Sequence, residues 1–87
     1  MAKLYIFNVF DSKAELYLPP FFFPNKGHAL RAFQDAVNDP THMFGKHPAD
    51  YTVFMLGSYD EESARFDLMD APISLGNGLE FQQRGAI

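Results

Sequence analysis

Residues 19–24 read Pro-Pro-Phe-Phe-Phe-Pro, and this run constrains the fold more than any other stretch of the chain. Its prolines exclude a helix interior and push the residues before them toward extended backbone. In an extended segment neighbouring side chains point to opposite sides, so Phe21, Phe22 and Phe23 cannot all enter one core. At least one of these rings is therefore exposed or buried against another molecule. The competing reading is that the rings plug the gap between a helix and a sheet.

Around this run the hydrophobic pattern predicts strands on both sides. Residues 3–10 and 51–59 carry β-branched and aromatic side chains on both alternating faces, the pattern of central strands. Residues 13–18 predict a strand returning beside the first through a turn at Asp11-Ser12-Lys13. After the charged turn Asp60-Glu61-Glu62-Ser63, residues 65–70 alternate, which predicts a half-buried strand with Phe66 and Leu68 inward and Arg65, Asp67 and Met69 outward.

One helix is predicted. Asn25 is its N-cap, and it runs from about Lys26 to Asn38 with Ala29, Leu30, Phe33, Ala36 and Val37 on one face. Arg31, Gln34, Asp35 and Asn38 take the opposite face, and Asp39-Pro40 ends the helix. Residues 41–50 read as a loop. From Pro72 the segment 72–87 reads as irregular, with a turn at Gly76-Asn77-Gly78 and a tail to Ile87 that either frays or adds a short strand through Leu79 and Phe81. The expectation is a single domain over residues 1–87 of the α+β class: a small antiparallel or mixed sheet of about four strands with one helix packed on a face. The first strand and the 51–59 strand are expected to be neighbours at its centre, and the helix can supply a crossover if they run parallel.

An 87-residue chain holds one core, and 16% aromatic residues is more ring surface than a core of this size readily hides. That excess predicts rings at a homodimer contact or a ligand surface. The absence of cysteine excludes disulfides, thiolate metal sites and cysteine nucleophiles, and suits an intracellular setting. The apolar run at residues 4–10 is too short for a membrane span and lacks a signal-peptide cleavage pattern, so no membrane partner is expected.

No catalytic constellation stands out. The serines lack a G-x-S-x-G context, Glu61 and Glu62 read as solvated turn residues, and Gly76-Asn77-Gly78 lacks the lysine of a phosphate loop. His28, His42 and His47 lack the helical spacing of a metal pair. Neither an enzyme, nor a metal, nor a cofactor is expected.

The formal net charge of −4 is unevenly placed: residues 1–49 hold five Lys/Arg and four Asp/Glu, whereas residues 50–87 hold two and seven. The N-terminal half can thus carry a local basic edge of Lys26, His28, Arg31, Lys46 and His47 beside the rings of Phe21, Phe22, Phe23 and Phe44. Cations interleaved with aromatics suit single-stranded nucleic acid, with phosphates on the charges and bases on the rings.

The segments Asp11-Ser12-Lys13-Ala14-Glu15, residues 17–24, Ala29-Leu30-Arg31-Ala32-Phe33, Asn38-Asp39-Pro40, His47-Pro48-Ala49-Asp50-Tyr51 and Leu56-Gly57-Ser58-Tyr59-Asp60 resemble the small nonstructural protein of gokushovirus-type microviruses. These are bacteriophages with circular single-stranded DNA genomes. The resemblance covers most of residues 3–70. It implies a protein made in the host bacterial cytoplasm and not kept in the virion, one that binds DNA and acts in the switch from genome replication to packaging. It carries over no catalytic motif. Two readings stand side by side: a single-stranded-DNA-binding protein, and an interaction factor whose exposed rings grip a viral or host protein without nucleic acid.

Overall fold

A computed structural model describes residues 2–83. The elements are β1 (Lys3–Asp11), β2 (Leu16–Tyr17), β3 (Phe21–Phe23), α1 (Lys26–Val37), α2 (Met43–Lys46), a 3-10 turn (Pro48–Asp50), β4 (Tyr51–Asp60), β5 (Arg65–Asn77) and α3 (Gly78–Phe81). The fold is α+β, and every strand pairing in its sheet is antiparallel.

β1 and β4 are neighbours at the centre, as their two-sided apolar pattern predicts, and β5 lies outside β4. On the other side of β1 one edge is shared by β2 and β3, which pair with residues 10–11 and 5–7 of β1. Leu18 still donates its N–H to the Val9 carbonyl at 2.8 Å, but Pro19 and Pro20 have no N–H to give, so the edge is broken there. β3 and β4 both run antiparallel to β1 and flank it. The crossover through α1 therefore joins β3 to β4, two strands of the same direction with β1 between them.

The core forms where α1 meets β1 and β4. Phe33 and Val37 of α1 share one buried cluster with Val9, Tyr51 and Val53, and Leu30, Phe44, Leu75 and Phe81 pack against it. Val9 faces Val53 across the β1–β4 ladder, and Phe7 faces Met55, so these four side chains share one face. Phe7, Val9, Val37 and Val53 are almost fully excluded from solvent, each burial contributing about 1.5–3 kcal/mol. The helix starts as predicted: the Asn25 side chain accepts the His28 N–H at 2.8 Å. It ends at Asn38, whose amide donates to the carbonyls of Gln34 at 2.8 Å and Phe81 at 3.0 Å, tying α3 to α1.

Several expectations are corrected. The return strand predicted over 13–18 is only Leu16–Tyr17, because residues 12–15 form a turn closed by the Glu15 N–H on the Asp11 carbonyl at 2.8 Å. The Phe21–Phe23 run is itself a strand. The loop 41–50 holds α2 and the 3-10 turn. Residues 72–77, expected to be irregular, continue β5, and Leu79 and Phe81, read as a short strand at most, lie in the helix α3, which Asn77 caps through a reciprocal capping box with Glu80. The rest of the predicted irregular tail, residues 84–87, lies outside the described residues. Phe66 and Leu68, expected inward, are 59% and 62% exposed. Alternation does place them on one face together, but among the described residues no layer packs there.

β4 and its partners slip register at the centre of the sheet. Leu56 is an extra residue relative to β1, and Met69–Pro72 of β5 bulge opposite it. Gly57 sits at this point with φ +157°, and a Cβ there would meet the Asp67 backbone.

Candidate nucleic-acid interface

Alternation and register divide the predicted ring cluster. Phe21 and Phe23 stand opposite Phe7 and Tyr5, whereas Phe22 stands opposite Ile6. Phe21 therefore turns to the side of the sheet that meets α1, its ring stacked on Phe7 at 5.9 Å, with Phe23 edge-on to it at 5.8 Å. Phe44 belongs to the same side: its ring lies 4.5 Å from Tyr51 and 5.6 Å from Phe33. Phe21, Phe23 and Phe44 line an apolar cleft with Val9, Ala32, Phe33 and Ala36.

Phe22 points the other way, toward the uncovered face. It is 40% exposed, and its ring meets Tyr59 at 5.9 Å and Phe66 at 6.5 Å, while Tyr59 and Phe66 lie 4.8 Å apart. Leu4 and Ala64 complete a shallow apolar hollow around these three rings. A second group occupies the other end of the same face. Phe10 pairs with Tyr17 at 4.8 Å, and Tyr17 meets Phe54 edge-on at 5.6 Å. Phe22 sits opposite Ile6 and Tyr17 opposite Phe10, so the two groups are four β1 residues apart, about 13 Å at the strand rise of about 3.3 Å per residue.

The predicted cations lie elsewhere. Lys26, His28 and Arg31 are exposed on α1, whose Ala29, Phe33 and Val37 face the sheet. Lys46 and His47 are exposed at the end of α2. These five residues and Phe44 thus belong to the helical layer, and Phe22 alone among the predicted rings belongs to the open face. Lys3 and Arg65 both pair with Asp60, on the side opposite Tyr59 and Phe66.

Two polar residues beside α2, His42 and Asp39, have local roles. The ring nitrogen Nδ1 of His42 accepts the Phe44 N–H at 3.0 Å, capping α2. Asp39 accepts from the Thr41 hydroxyl at 2.7 Å and the Thr41 N–H at 2.9 Å, and these two bonds hold its carboxyl below the usual carboxylate range. Among the described residues no group of three or more His, Cys, Asp and Glu is placed to hold a metal ion. Among them, too, no helix is long and apolar enough to cross a membrane.

Sequence reasoning missed Phe10, Tyr17, Phe54, Tyr59 and Phe66 as one surface. They come from four strands, and only the register brings them together. The signal that was present is the alternation itself, which puts Phe66 and Leu68 on one face without saying whether that face is covered.

Comparison with known proteins gives three findings. The model of a family described as Phage ORF5 protein matches residues 4–81. Protein ORF5 of Chlamydia phage 1 is 30% identical over 83 residues, spanning 90% of this chain and 86% of that protein. No solved structure matches the chain significantly.

Proposed function

The chain belongs to the Phage ORF5 protein family, and from that premise we propose that it binds single-stranded DNA through the uncovered face of its sheet. The observation that carries this reading is the pair of ring groups, Phe22-Tyr59-Phe66 and Phe10-Tyr17-Phe54, on one face with no packed layer among the described residues. Every base has a π-face, so stacking on such rings tolerates any sequence, and each stacked base contributes about 1–3 kcal/mol. An unpaired strand offers those faces, whereas a duplex hides them. In a phage with a single-stranded genome, a protein that occupies the displaced strand diverts it from second-strand synthesis toward packaging. That is the role we assign, in the infected bacterium and outside the virion, with homodimer formation as a further part of the reading.

The test is retention of labelled single-stranded and double-stranded DNA at low ionic strength, for the wild type and for Phe22→Ala with Phe66→Ala, alongside a mass measurement in solution. Preferential single-strand retention that the double variant loses supports the proposal. No single-strand retention at low salt sinks it.

One observation favours the protein-partner reading. The turn that follows Tyr59 and leads into Phe66 carries exposed Glu61 and Glu62, which repel phosphates. If the double variant loses a viral or host protein while DNA retention is absent in the wild type, this second reading takes over.

A further inference from the structure

Between the two ring groups, alternation places Ile6 and Asn8 on the same open face of β1. Asn8 is only 7% exposed, and its side-chain oxygen Oδ1 is buried without a hydrogen-bond partner. Buried polar atoms are nearly always paired, and an orphan costs the full desolvation of the group, so this position calls for a reason. An apolar side chain of the same shape would fill the space without that cost.

The surroundings supply one. Phe54 stands opposite Asn8 on β4, and Tyr17 stands opposite Phe10, the next residue on that face. Their rings converge across β1 at 5.6 Å with an interplanar angle of 70°. The amide therefore lies beneath the junction of two rings, and Tyr17, on the two-residue strand β2, is 48% exposed. We infer that a nucleobase that parts the edge-to-face contact of Tyr17 and Phe54 donates an N–H to the Asn8 amide beneath, making Asn8 the residue that distinguishes bases. This rests on the reading of the face as a base-stacking surface and goes beyond it.

The chemistry fits a base edge and no other part of the strand. Phosphate and deoxyribose carry no N–H donor within a chain, whereas each base edge offers N–H groups beside acceptors. The carboxamide presents an acceptor beside a donor, so it pairs two-fold with the edge of a base stacked on one of the two rings. The rings give affinity for any base, and the amide separates one base from another.

The experiment measures binding of the full chain to labelled homopolymers of deoxyadenosine, deoxycytidine and deoxythymidine, and to a backbone of abasic residues of equal length. The wild type is expected to bind its best homopolymer about fivefold or more tighter than its worst, and all of them tighter than the abasic strand. In Asn8→Leu, with thermal stability equal or raised, the spread between bases is expected to shrink to about twofold while the preference over the abasic strand persists. Asn8→Val, suited to a strand, serves as the second variant if leucine disturbs the fold. An unchanged spread in a folded variant, or no spread in the wild type, overturns the role of Asn8 while leaving single-strand binding intact. Absence of wild-type binding to every strand overturns both.

Discussion

Phe21 and Phe22 are adjacent in sequence and occupy opposite sides of the sheet: the first stacks on Phe7 at 5.9 Å, and the second meets Tyr59 at 5.9 Å across β1. Truncating them should therefore have different consequences. Phe21→Ala is expected to destabilise the fold by about 2–4 kcal/mol, because it opens space beside the core. Phe22→Ala should cost about 1 kcal/mol or less in stability yet weaken single-strand binding by about fivefold to a hundredfold. Chemical denaturation and DNA titration of the two variants, side by side, read both effects. Equal loss of binding per kcal/mol of destabilisation would show that Phe22 acts only through folding.

Alternation puts no described cation on the open face, so binding there should depend weakly on salt. A plot of log affinity against log salt is expected to have a slope no steeper than about −1.5, the release of about two counterions. A steeper slope that Lys26→Ala and Arg31→Ala flatten would place the DNA on the helical layer, where the basic edge read from the sequence lies.

Gly57 combines a positive φ with close approach of the Asp67 backbone at the register slip between β4 and its neighbours. Gly57→Ala is expected to destabilise by about 2–4 kcal/mol, since both strands must shift to admit a methyl group. Thermal unfolding checks this, and a cost under about 1 kcal/mol would mean that the slip is soft.

Tyr51 is buried, and its hydroxyl is pushed above its ordinary value of 10.0 by burial first and then by the charges of Asp11 and Asp50. The folded state thus holds a proton that the unfolded chain releases above about pH 10, so stability should fall as pH rises through that value. The contribution is fully present below the unfolded value and lost as pH passes the folded one. Tyr51→Phe removes the titrating group, and its melting temperature should decline less than that of the wild type across this alkaline window. Parallel declines would count against the assignment.

Two turns in the chain are built alike. In each, an aspartate carbonyl accepts the N–H four residues on (Asp11 from Glu15 at 2.8 Å, Asp60 from Ala64 at 2.7 Å), and the last residue is left-handed, with φ 59° at Glu15 and 61° at Ala64. Ala64→Gly should relieve the Cβ penalty and stabilise the protein by about 0.5–1 kcal/mol, as measured by urea denaturation. A loss of stability would show that the Ala64 methyl group, which lines the hollow of Phe22 and Phe66, contributes more by packing than it costs in strain.

The sequence disclosed the elements whose signals are local. β1 and β4 announced themselves by apolar residues on both faces, α1 by Asn25 and its periodic Ala29, Phe33 and Val37, and the Phe run by the impossibility of turning three neighbours to one side. What was hidden depends on distant partners. Phe66 and Leu68 alternate like a buried face, and nothing in residues 65–70 reveals that no layer covers it. Asn77 is a mixed case: its capping box with Glu80, three residues on, is a local signal that the flanking glycines masked, whereas its amide reaching the Ala49 carbonyl at 3.0 Å depends on the fold. The basic edge was drawn from residues near one another in sequence, and the register then set Phe22 on the opposite side from Lys26 and Arg31.

The two outer edges of the sheet bear on how this chain survives at high concentration. One is cut by Pro19 and Pro20, and the other carries Asp67, Asp70 and Pro72 along a bulged strand. Prolines, like charges and a broken ladder defeat strand-to-strand growth between copies, the first step toward cross-β fibrils. An uncovered face of rings favours association between copies, and rims guarded in this way leave that face, not the strand edges, as the place where copies would meet.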